Sequence, residues 1–218
     1  MTGRPALPTE DLSALHAHVE GYLAEDDVLL AARAEAERLG STPVGPGAGA
    51  GLRFLAAAIS ARAVVEIGTG GGVSGLWLLR GMAPDGVLTS IDMDPEIQRA
   101  ARAAFLAAGN PPSRLRLING MGLEVLPRLT DGGYDLVFVD AEPADYPRYL
   151  DQAVRLLRIG GMVVLARVLG HGAVDPDSLD PDAPAVREVA RQAREDDRLA
   201  PVLLPLSDGL LAAVKTSP

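Results

Sequence analysis

The sequence contains no cysteine in its 218 residues. The protein therefore has no disulfide, no thiolate ligand for a metal and no cysteine nucleophile. A chain without cysteine fits a reducing compartment, and we expect a cytoplasmic protein. The stretch MTGRPALPTEDLS lacks the apolar core of a signal peptide. No apolar run approaches the roughly 20 residues that span a bilayer, so we expect no membrane partner.

Aromatic side chains are also scarce, at 4% of the chain, and no block of basic residues offsets the net charge of −9. Surfaces that stack nucleic-acid bases need aromatic side chains, and grooves that bind the phosphate backbone need clusters of basic residues. We therefore expect no nucleic-acid partner. Apolar residues make up 48% of the chain, which is enough for a full core, and the length suits one α/β domain.

The most informative stretch is VVEIGTGGGVSGLWLLRGMAPDGVLTSIDMD, residues 64–94. It begins with a short apolar run, passes through glycines at residues 68, 70, 71 and 72, and shows helical periodicity from Val73. A second apolar run ends at Asp92. This order predicts a βαβ unit whose glycine turn and helix N-terminus approach a ligand. Asp92 is placed to accept hydrogen bonds from a ribose diol.

The spacing of the glycines favours one class of nucleotide-like ligand. In the dinucleotide pattern G-x-G-x-x-G the third glycine falls on Val73, so that match is incomplete. The pattern acid-x-G-x-G-x-G fits in full from Glu66 to Gly72. A carboxylate at residue 66 repels a pyrophosphate and attracts an amine. S-adenosylmethionine has an amine and a ribose but no phosphate, and we predict it as the cofactor.

Strands and helices are predicted to alternate through the rest of the chain. Two helices come first, with Thr9 as the N-cap of the first, followed by a Gly/Pro-rich stretch at residues 41–51 that is either a hinge or a wall over the ligand. Beyond the βαβ unit, strands are predicted at residues 114–118, 134–139 and 162–166. The final segment PVLLPLSDGLLAAVK predicts a hairpin that turns at residues 207–209.

This alternation predicts an α/β fold, a doubly wound, mostly parallel seven-stranded sheet with an antiparallel edge strand. We expect a single domain over residues 1–218, with residues 1–40 as an N-terminal helical extension and residues 41–218 as the core. Ligands of such sheets bind beyond the carboxyl ends of the strands.

Two long segments resemble the cation-dependent O-methyltransferase family, the catechol and caffeoyl-CoA methyltransferases. VVEIGTGGGVSGLWLLRGMAPDGVLTSIDMDPE resembles the family's EIGT-x-x-GYSALWLA run. YDLVFVDAEPADYPRYLDQAVRLLRIGGMVVLARVLGHG resembles its FIDADK-x-x-Y and LLRPGG-x-x-x-x-DN-x-LW-x-G runs. The resemblance covers residues 40–215. It implies a Rossmann-like class I methyltransferase fold, methyl transfer to a hydroxyl of a small molecule, and a homodimer.

The resemblance also implies roles for individual residues. Ser74 matches the serine that binds the methionine carboxylate of the cofactor, close to a helix N-terminus where anions are favoured. Met93 matches a side chain packed near the adenine, and Asp140 matches an acid between cofactor, metal and substrate. The residues so implied in cofactor binding are Val44, Glu66, Gly68, Thr69, Gly70, Ser74, Asp92, Met93 and Asp140.

The sequence departs from the family at the metal site. The Asp-Asn pair that completes the family's metal ligands is Ala166-Arg167 here, and the DADK lysine, a candidate base, is Pro143. Alanine supplies no side-chain oxygen and arginine repels a divalent cation, which argues against the family's metal. We assign the catalytic role to Asp140 and Arg167. The hypothesis is that Arg167 puts a fixed positive charge in the place of the cation and holds or acidifies the acceptor hydroxyl.

Several alternatives stay open at this point. Arg167 is explained equally well as a solvated loop residue or a structural partner of Asp140. His171 is a weaker candidate for a base, and Tyr146 for the lining of an acceptor pocket. The alternative function is a catalytically reduced or inactive protein that still binds S-adenosylmethionine. A nicotinamide oxidoreductase comes third, disfavoured by Val73 and Glu66.

Overall fold

The structure is a computed structural model that describes residues 12–218. Thr9, the predicted N-cap of the first helix, lies outside the described residues. The strands are β1 (Ala63–Ile67), β2 (Val87–Asp92), β3 (Leu115–Asn119), β4 (Tyr134–Val139), β5 (Leu157–Ala166), β6 (Leu199–Leu204) and β7 (Leu210–Lys215). The α-helices are α1 (Leu12–Glu20), α2 (Asp27–Arg38), α3 (Pro46–Ala58), α4 (Val73–Gly81), α5 (Pro95–Ala107), α6 (Gly122–Val125), α7 (Tyr146–Leu156) and α8 (Ala183–Glu195).

The strands form one seven-stranded sheet in the order β3-β2-β1-β4-β5-β7-β6. β1 pairs in parallel with β2 and β4, β2 with β3, and β4 with β5. β7 runs antiparallel to β5 on one side and to β6 on the other. The predicted mostly parallel sheet, with antiparallel pairing at one edge, is therefore confirmed.

Helices cover both faces of the sheet because its central strands are apolar on both sides. Successive residues of a strand point to opposite faces. Val64 accordingly packs in a core with residues of α3, α4 and α5, whereas Val65 packs in a second core with residues of α7 and α8. Among residues 12–218, no helix has both the length and the apolar character of a membrane span.

The prediction of irregular structure across residues 41–51 is wrong in its second half. α3 begins at Pro46, which occupies the first turn of the helix, where a missing N–H costs nothing. The glycines that follow allow close packing on α4. A Cβ atom on Gly49 would overlap the indole ring of Trp77. The glycine content of this stretch therefore reflects a tight helix contact, which sequence reasoning read as a loop.

β5 also differs from its prediction, because it begins at Leu157 and not at Met162. Gly160 and Gly161, which precede the predicted start of the strand, lie within it. The register with β4 shifts between Tyr134 and Leu136, opposite these glycines. Gly160 has a φ of +79°, which L side chains rarely adopt. The two glycines thus form an irregularity inside a longer strand.

The carboxyl ends of the parallel strands meet at one edge of the sheet. β1 ends before the glycine turn, β2 ends at Asp92, β4 ends before Asp140, and β5 ends before Arg167. The fold therefore gathers residues that are far apart in the sequence at one place beyond the strand ends.

Candidate active site

An open pocket lies beyond these strand ends. It is lined by Ser41, Thr42, Pro43, Val44, Gly68, Thr69, Gly70, Gly71, Val73, Ser74, Asp92, Ile97, Asp140 and Arg167. Most of the predicted site residues are in this list; Glu66 and Met93 are not. Residues 41–44, one wall of the pocket, correspond to the interpretation of the Gly/Pro-rich stretch as a wall.

The glycine turn is held by the acid at the end of β2. Asp92 Oδ2 accepts hydrogen bonds from the backbone N–H groups of Thr69 at 3.0 Å and Gly70 at 3.2 Å. Its Oδ1 accepts one from Asp94 N at 3.0 Å. The carboxylate predicted to bind a ribose therefore also fixes the turn. Gly68 has a φ of +89°, and a Cβ atom there would overlap the Asp140 carbonyl oxygen.

The N-terminus of α4 faces the pocket without a side-chain cap. Its N-cap is Gly72, which has a φ of +90° and no side chain to satisfy the first N–H groups. Such an end carries a partial positive charge that favours an anion. Ser74, in the first turn, lines the pocket, but its hydroxyl donates a 2.6 Å hydrogen bond to Glu66 Oε1.

Glu66 is fully buried beneath the glycine turn, and its carboxylate faces the protein interior. Ser90 Oγ donates a 2.5 Å hydrogen bond to Glu66 Oε2, and the Ser90 hydroxyl is 2.7 Å from that of Thr69. Burial, with a smaller contribution from the negative charges of Asp140 and Asp92, raises the pKa of Glu66 to about 7, although the hydrogen bonds from Ser74 and Ser90 oppose the rise. Glu66 thus supports the glycine turn from the protein interior, through its hydrogen bonds with the two serines. A direct contact between Glu66 and a ligand stays a prediction.

Met93 and Ile97 differ in their relation to the pocket. Met93 is 70% exposed and lies outside the lining. Ile97, in the first turns of α5, lines the pocket and was missed. Its helical periodicity marks a partly buried position, but no local signal distinguishes a ligand-facing isoleucine from a core residue.

Arg167 and Asp140 form an ion pair at one end of the pocket. Arg167 Nε is 2.8 Å from Asp140 Oδ1, and Nη2 donates to Oδ2 at 3.4 Å. Nη2 also donates to the carbonyl of Thr42 at 2.7 Å. Arg167 is therefore not a freely solvated loop residue. Its φ of +58° is uncommon for a residue with a side chain and is held by these contacts.

The Asp140 carboxylate keeps one unsatisfied atom. Although Arg167 Nε is close to Oδ1, its N–H does not point along that line, and the buried Oδ1 accepts no hydrogen bond from the described residues. Burial raises the pKa of Asp140, the charge of Arg167 opposes that rise, and Asp208 adds to it. A buried oxygen with spare acceptor capacity at a pocket wall is suited to a donor on a ligand.

The metal position of the resembling family does not fit this chain. The Ala166 side chain has no atom that can bind a metal, and the guanidinium of Arg167 already contacts the Asp140 carboxylate. Within residues 12–218, a separate group of possible metal ligands, His171, Asp180 and Asp182, has its ligand atoms within 4.8 Å of one another. These three side chains lie after β5 and before α8, outside the pocket lining.

Neither of the weaker candidate residues lines the pocket. His171 Nδ1 lies 3.7 Å from an Asp180 oxygen and 3.6 Å from an Asp182 oxygen. The hydroxyl of Tyr146 is buried and finds no hydrogen-bond partner among the described residues. Burial and the Asp140 carboxylate raise the pKa of Tyr146, which disfavours a role as a base.

Comparison with known proteins reveals close relatives. A sequence profile of a family described as O-methyltransferase matches residues 23–216. A Mycobacterium tuberculosis protein named as an O-methyltransferase is 54% identical over 216 residues, covering 99% of this chain and 96% of the relative. The crystal structure of a Corynebacterium glutamicum protein matches with a TM-score of 0.87 and 33% identity, covering 96% of this chain and 99% of that one.

A further solved structure contains a ligand. The O-methyltransferase TomG from Streptomyces achromogenes, involved in tomaymycin synthesis, was crystallised in complex with S-adenosylmethionine. It matches this chain with a TM-score of 0.81 and 31% identity, covering 94% of this chain and 96% of that one.

Proposed function

This chain belongs to the O-methyltransferase family, and we propose that it transfers a methyl group from S-adenosylmethionine to a hydroxyl of a small molecule without the divalent metal of the cation-dependent members. The observation that carries the metal-free part is the Arg167–Asp140 ion pair at the pocket wall. We treat the chain as one methyltransferase domain with residues 1–40 as a helical extension. A cytoplasmic location stays a prediction.

The charges of the pocket suit S-adenosylmethionine better than a phosphorylated cofactor. Its lining contains two carboxylates, Asp92 and Asp140, and a single cation, Arg167, which is already paired. A pyrophosphate therefore meets no unpaired cation among the lining residues within 12–218, whereas an ammonium and a sulfonium are attracted. The uncapped N-terminus of α4 beside Ser74 suits the methionine carboxylate.

The remaining predicted residues have supporting roles in cofactor binding. We propose that Asp92 holds the ribose and that Val44 and the backbone of Gly68, Thr69 and Gly70 shape the pocket. Met93, the exposed residue that follows Asp92, is proposed to cover the adenine, and Glu66 to orient Ser74 through their hydrogen bond. When bound, the cofactor supplies the methyl group.

Asp140 and Arg167 are proposed to act on the acceptor. The Oδ1 atom of Asp140 takes a hydrogen bond from the acceptor hydroxyl, which orients the oxygen for attack and gives its proton a path to the carboxylate. The guanidinium of Arg167 stabilises the negative charge that develops on that oxygen. Because alignment supplies a large part of the rate of such a transfer, a lysine base is not required.

Calorimetric titration with S-adenosylhomocysteine, with and without magnesium or calcium, tests the cofactor and the metal. We expect tight binding that the metals do not change. Absence of binding would overturn the cofactor assignment, and a separate saturable metal heat that alters binding would overturn the metal-free proposal.

A panel of phenols and aliphatic alcohols then tests catalysis, by formation of S-adenosylhomocysteine. Arg167→Ala should lose turnover on every accepted substrate, while Arg187→Ala, which removes a cation outside the pocket lining, serves as the matched control. The loss of the family's metal ligand at Ala166 favours the alternative, a protein that binds S-adenosylmethionine without catalysis. Binding without turnover on any member of the panel would support it.

We also infer a homodimer that pairs through the apolar surface of α1, α3 and β6. This surface forms a groove whose lining includes Tyr22, Phe54, Val202 and Leu204. Tyr22 is 77% exposed and Phe54 is 70% exposed. Large apolar side chains that are grouped and exposed mark a protein contact. β6 is also the edge strand of the sheet on this side, with backbone groups free for a partner.

A further inference from the structure

The carboxylate of Glu20, the last residue of α1, connects three separate parts of the chain. Its Oε2 accepts a hydrogen bond from Gly47 N at 2.9 Å, and its Oε1 accepts one from Ser207 N at 2.8 Å. The Ser207 hydroxyl is 3.1 Å and 3.0 Å from the two carboxylate oxygens. Glu20 therefore joins α1 to the start of α3 and to the turn between β6 and β7.

Together, Glu20 and Ser207 cap α3 from outside the helix. The N-cap residue of α3 is Gly45, which provides no side-chain hydrogen bond. Instead, Gly47 N donates to Glu20, and Ala48 N is 3.2 Å from the Ser207 hydroxyl. A carboxylate at this helix end satisfies donors that otherwise lack partners and complements the helix dipole. A Cβ atom on Gly47 would overlap the Glu20 carboxylate, so the glycine makes room for the cap.

The turn that Glu20 holds supports the residues next to Arg167. The carbonyl of Asp208 accepts a hydrogen bond from Leu169 N at 2.9 Å, and the carbonyl of Gly209 accepts one from Val168 N at 3.3 Å. Val168 and Leu169 directly follow Arg167. Since Arg167 adopts a left-handed backbone conformation, it depends on such neighbours to remain in place.

The start of α3 supports Arg167 from the other side. Residues 41–45 lead directly into this helix, and Thr42 contributes the carbonyl that accepts the 2.7 Å hydrogen bond from Arg167 Nη2. The same segment forms a wall of the cofactor pocket. A shift of the α3 N-terminus would therefore move both the pocket wall and a partner of Arg167.

We infer that Glu20 is a positioning residue, which holds residues 41–45 and the β6–β7 turn around Arg167 and so sets the shape of the cofactor pocket. This inference rests on the proposed function, since it concerns the same pocket. Glu20 itself does not line that pocket.

Glu20 can be changed without emptying the core, because α1 contributes no buried residue. The substitution Glu20→Gln keeps the size of the side chain but turns an acceptor oxygen into a donor that faces Gly47 N or Ser207 N. Glu37→Gln is the matched control, since Glu37 is an exposed acid on α2 and its removal changes the net charge equally.

Titration calorimetry with S-adenosylhomocysteine provides the first readout. We expect Glu20→Gln to weaken binding about tenfold, the effect of losing one hydrogen bond to a charged group. Glu20→Asp should recover part of the loss, and Glu37→Gln should bind like the wild type. If Glu20→Gln binds as tightly as the wild-type protein, the inference is wrong.

A double variant separates positioning from general structure. If Glu20 acts by holding residues 41–45 and the β6–β7 turn around Arg167, Glu20→Gln should add little to the loss of affinity caused by Arg167→Met. Independent, additive losses would overturn the inference.

Hydrogen exchange provides a readout that needs no ligand. Glu20→Gln should speed exchange of the amides at residues 42–48 and 168–169 and leave the amides of β1 to β4 unchanged. If the wild-type protein fails to bind S-adenosylhomocysteine, the proposed function fails, while this exchange pattern still decides the role of Glu20. Unchanged exchange at residues 42–48 would exclude that role.

Discussion

The hydroxyl of Ser74 donates a 2.6 Å hydrogen bond to Glu66, a carboxylate with no exposed surface. Ser90 donates to the other oxygen of the same carboxylate. Ser74 belongs to the first turn of α4 at the pocket, so the charge of a buried acid is linked directly to the helix end that faces the ligand. This relationship makes the stability of the protein depend on pH in a defined direction.

Glu66→Gln should flatten that dependence. The pKa of Glu66 rises from 4.5 to about 7 on folding, chiefly through burial, so between these values the folded state binds more protons than the unfolded state. Stability is therefore lost as the pH rises through this window. A glutamine is neutral throughout; its amide oxygen accepts from one serine, and its amide nitrogen donates to the hydroxyl of the other, which then acts as the acceptor. Between about pH 4 and pH 8, the free energy of unfolding of the variant should rise by about 3 kcal/mol relative to that of the wild type.

Urea denaturation across this pH range measures the effect, with Glu37→Gln as the exposed control. Parallel pH profiles for the wild-type protein and Glu66→Gln would show that Glu66 keeps its ordinary acidity in the folded state.

Arg167→Met should destabilise the protein by leaving the Asp140 carboxylate without its cation. Removal of one partner from a fully buried pair costs about 3 to 5 kcal/mol. The Arg167 side chain is 32% exposed, and we expect a smaller loss, about 1 to 3 kcal/mol. Adding Asp140→Asn should recover part of it, because the remaining amide carries no charge. Chemical denaturation of the four proteins in this cycle measures the coupling, and purely additive losses would show that the pair is not coupled.

Gly68→Ala should damage the pocket more than a similar change elsewhere. Gly68 has a φ of +89°, and its added Cβ would overlap the Asp140 carbonyl. Gly109→Ala is the matched control, since Gly109 has a φ of +80° with no atom within 4 Å of its added Cβ. Backbone strain alone costs about 1 to 2 kcal/mol. We expect Gly109→Ala to lose that much and Gly68→Ala to lose more and to abolish S-adenosylhomocysteine binding by calorimetry. If the two variants lose equal stability, the overlap with the Asp140 carbonyl does not contribute to the effect of Gly68→Ala.

Phe54→Glu should separate the proposed homodimer. A charge on the apolar surface of α1, α3 and β6, to which Phe54 belongs, would be buried without a partner in the dimer. Light scattering coupled to size exclusion should give the mass of a dimer for the wild type and of a monomer for the variant. Leu106→Glu places the same charge on α5, at a residue 43% exposed outside this groove, and should leave the mass unchanged. A monomeric wild-type protein would contradict the proposal directly.

The sheet and the position of the pocket could be predicted because their signals are local. A buried strand is a short apolar run, and the residues that follow its carboxyl end lie at the ligand edge. Asp92 ends one predicted strand and Asp140 directly follows another, and both line the pocket. The pairing of Asp140 with Arg167 could not be predicted from such local signals. It depended on the resemblance to a family in which residues at these two positions bind the same metal.

The orientation of Glu66 could not be predicted for a physical reason. Its carboxylate faces inward because β1 pairs with β2 in a register that sets Glu66 beside Ser90. Register between strands is a tertiary property that neither segment encodes alone. The start of α3 was missed for a related reason, since its glycines are explained by the ring of Trp77 and a helix cap that comes from other elements.

The contact between Glu20 and Ser207 joins residues that are 187 positions apart. A polypeptide leaves the ribosome from its N-terminal end, and its segments fold as they become available. Strands β1 to β5 pair among themselves and have all been synthesised before residue 170 is added. The support of Arg167 from the β6–β7 turn, in contrast, waits for the final hairpin. A nascent chain therefore acquires the parallel part of its sheet before the β6–β7 turn can complete the surroundings of Arg167.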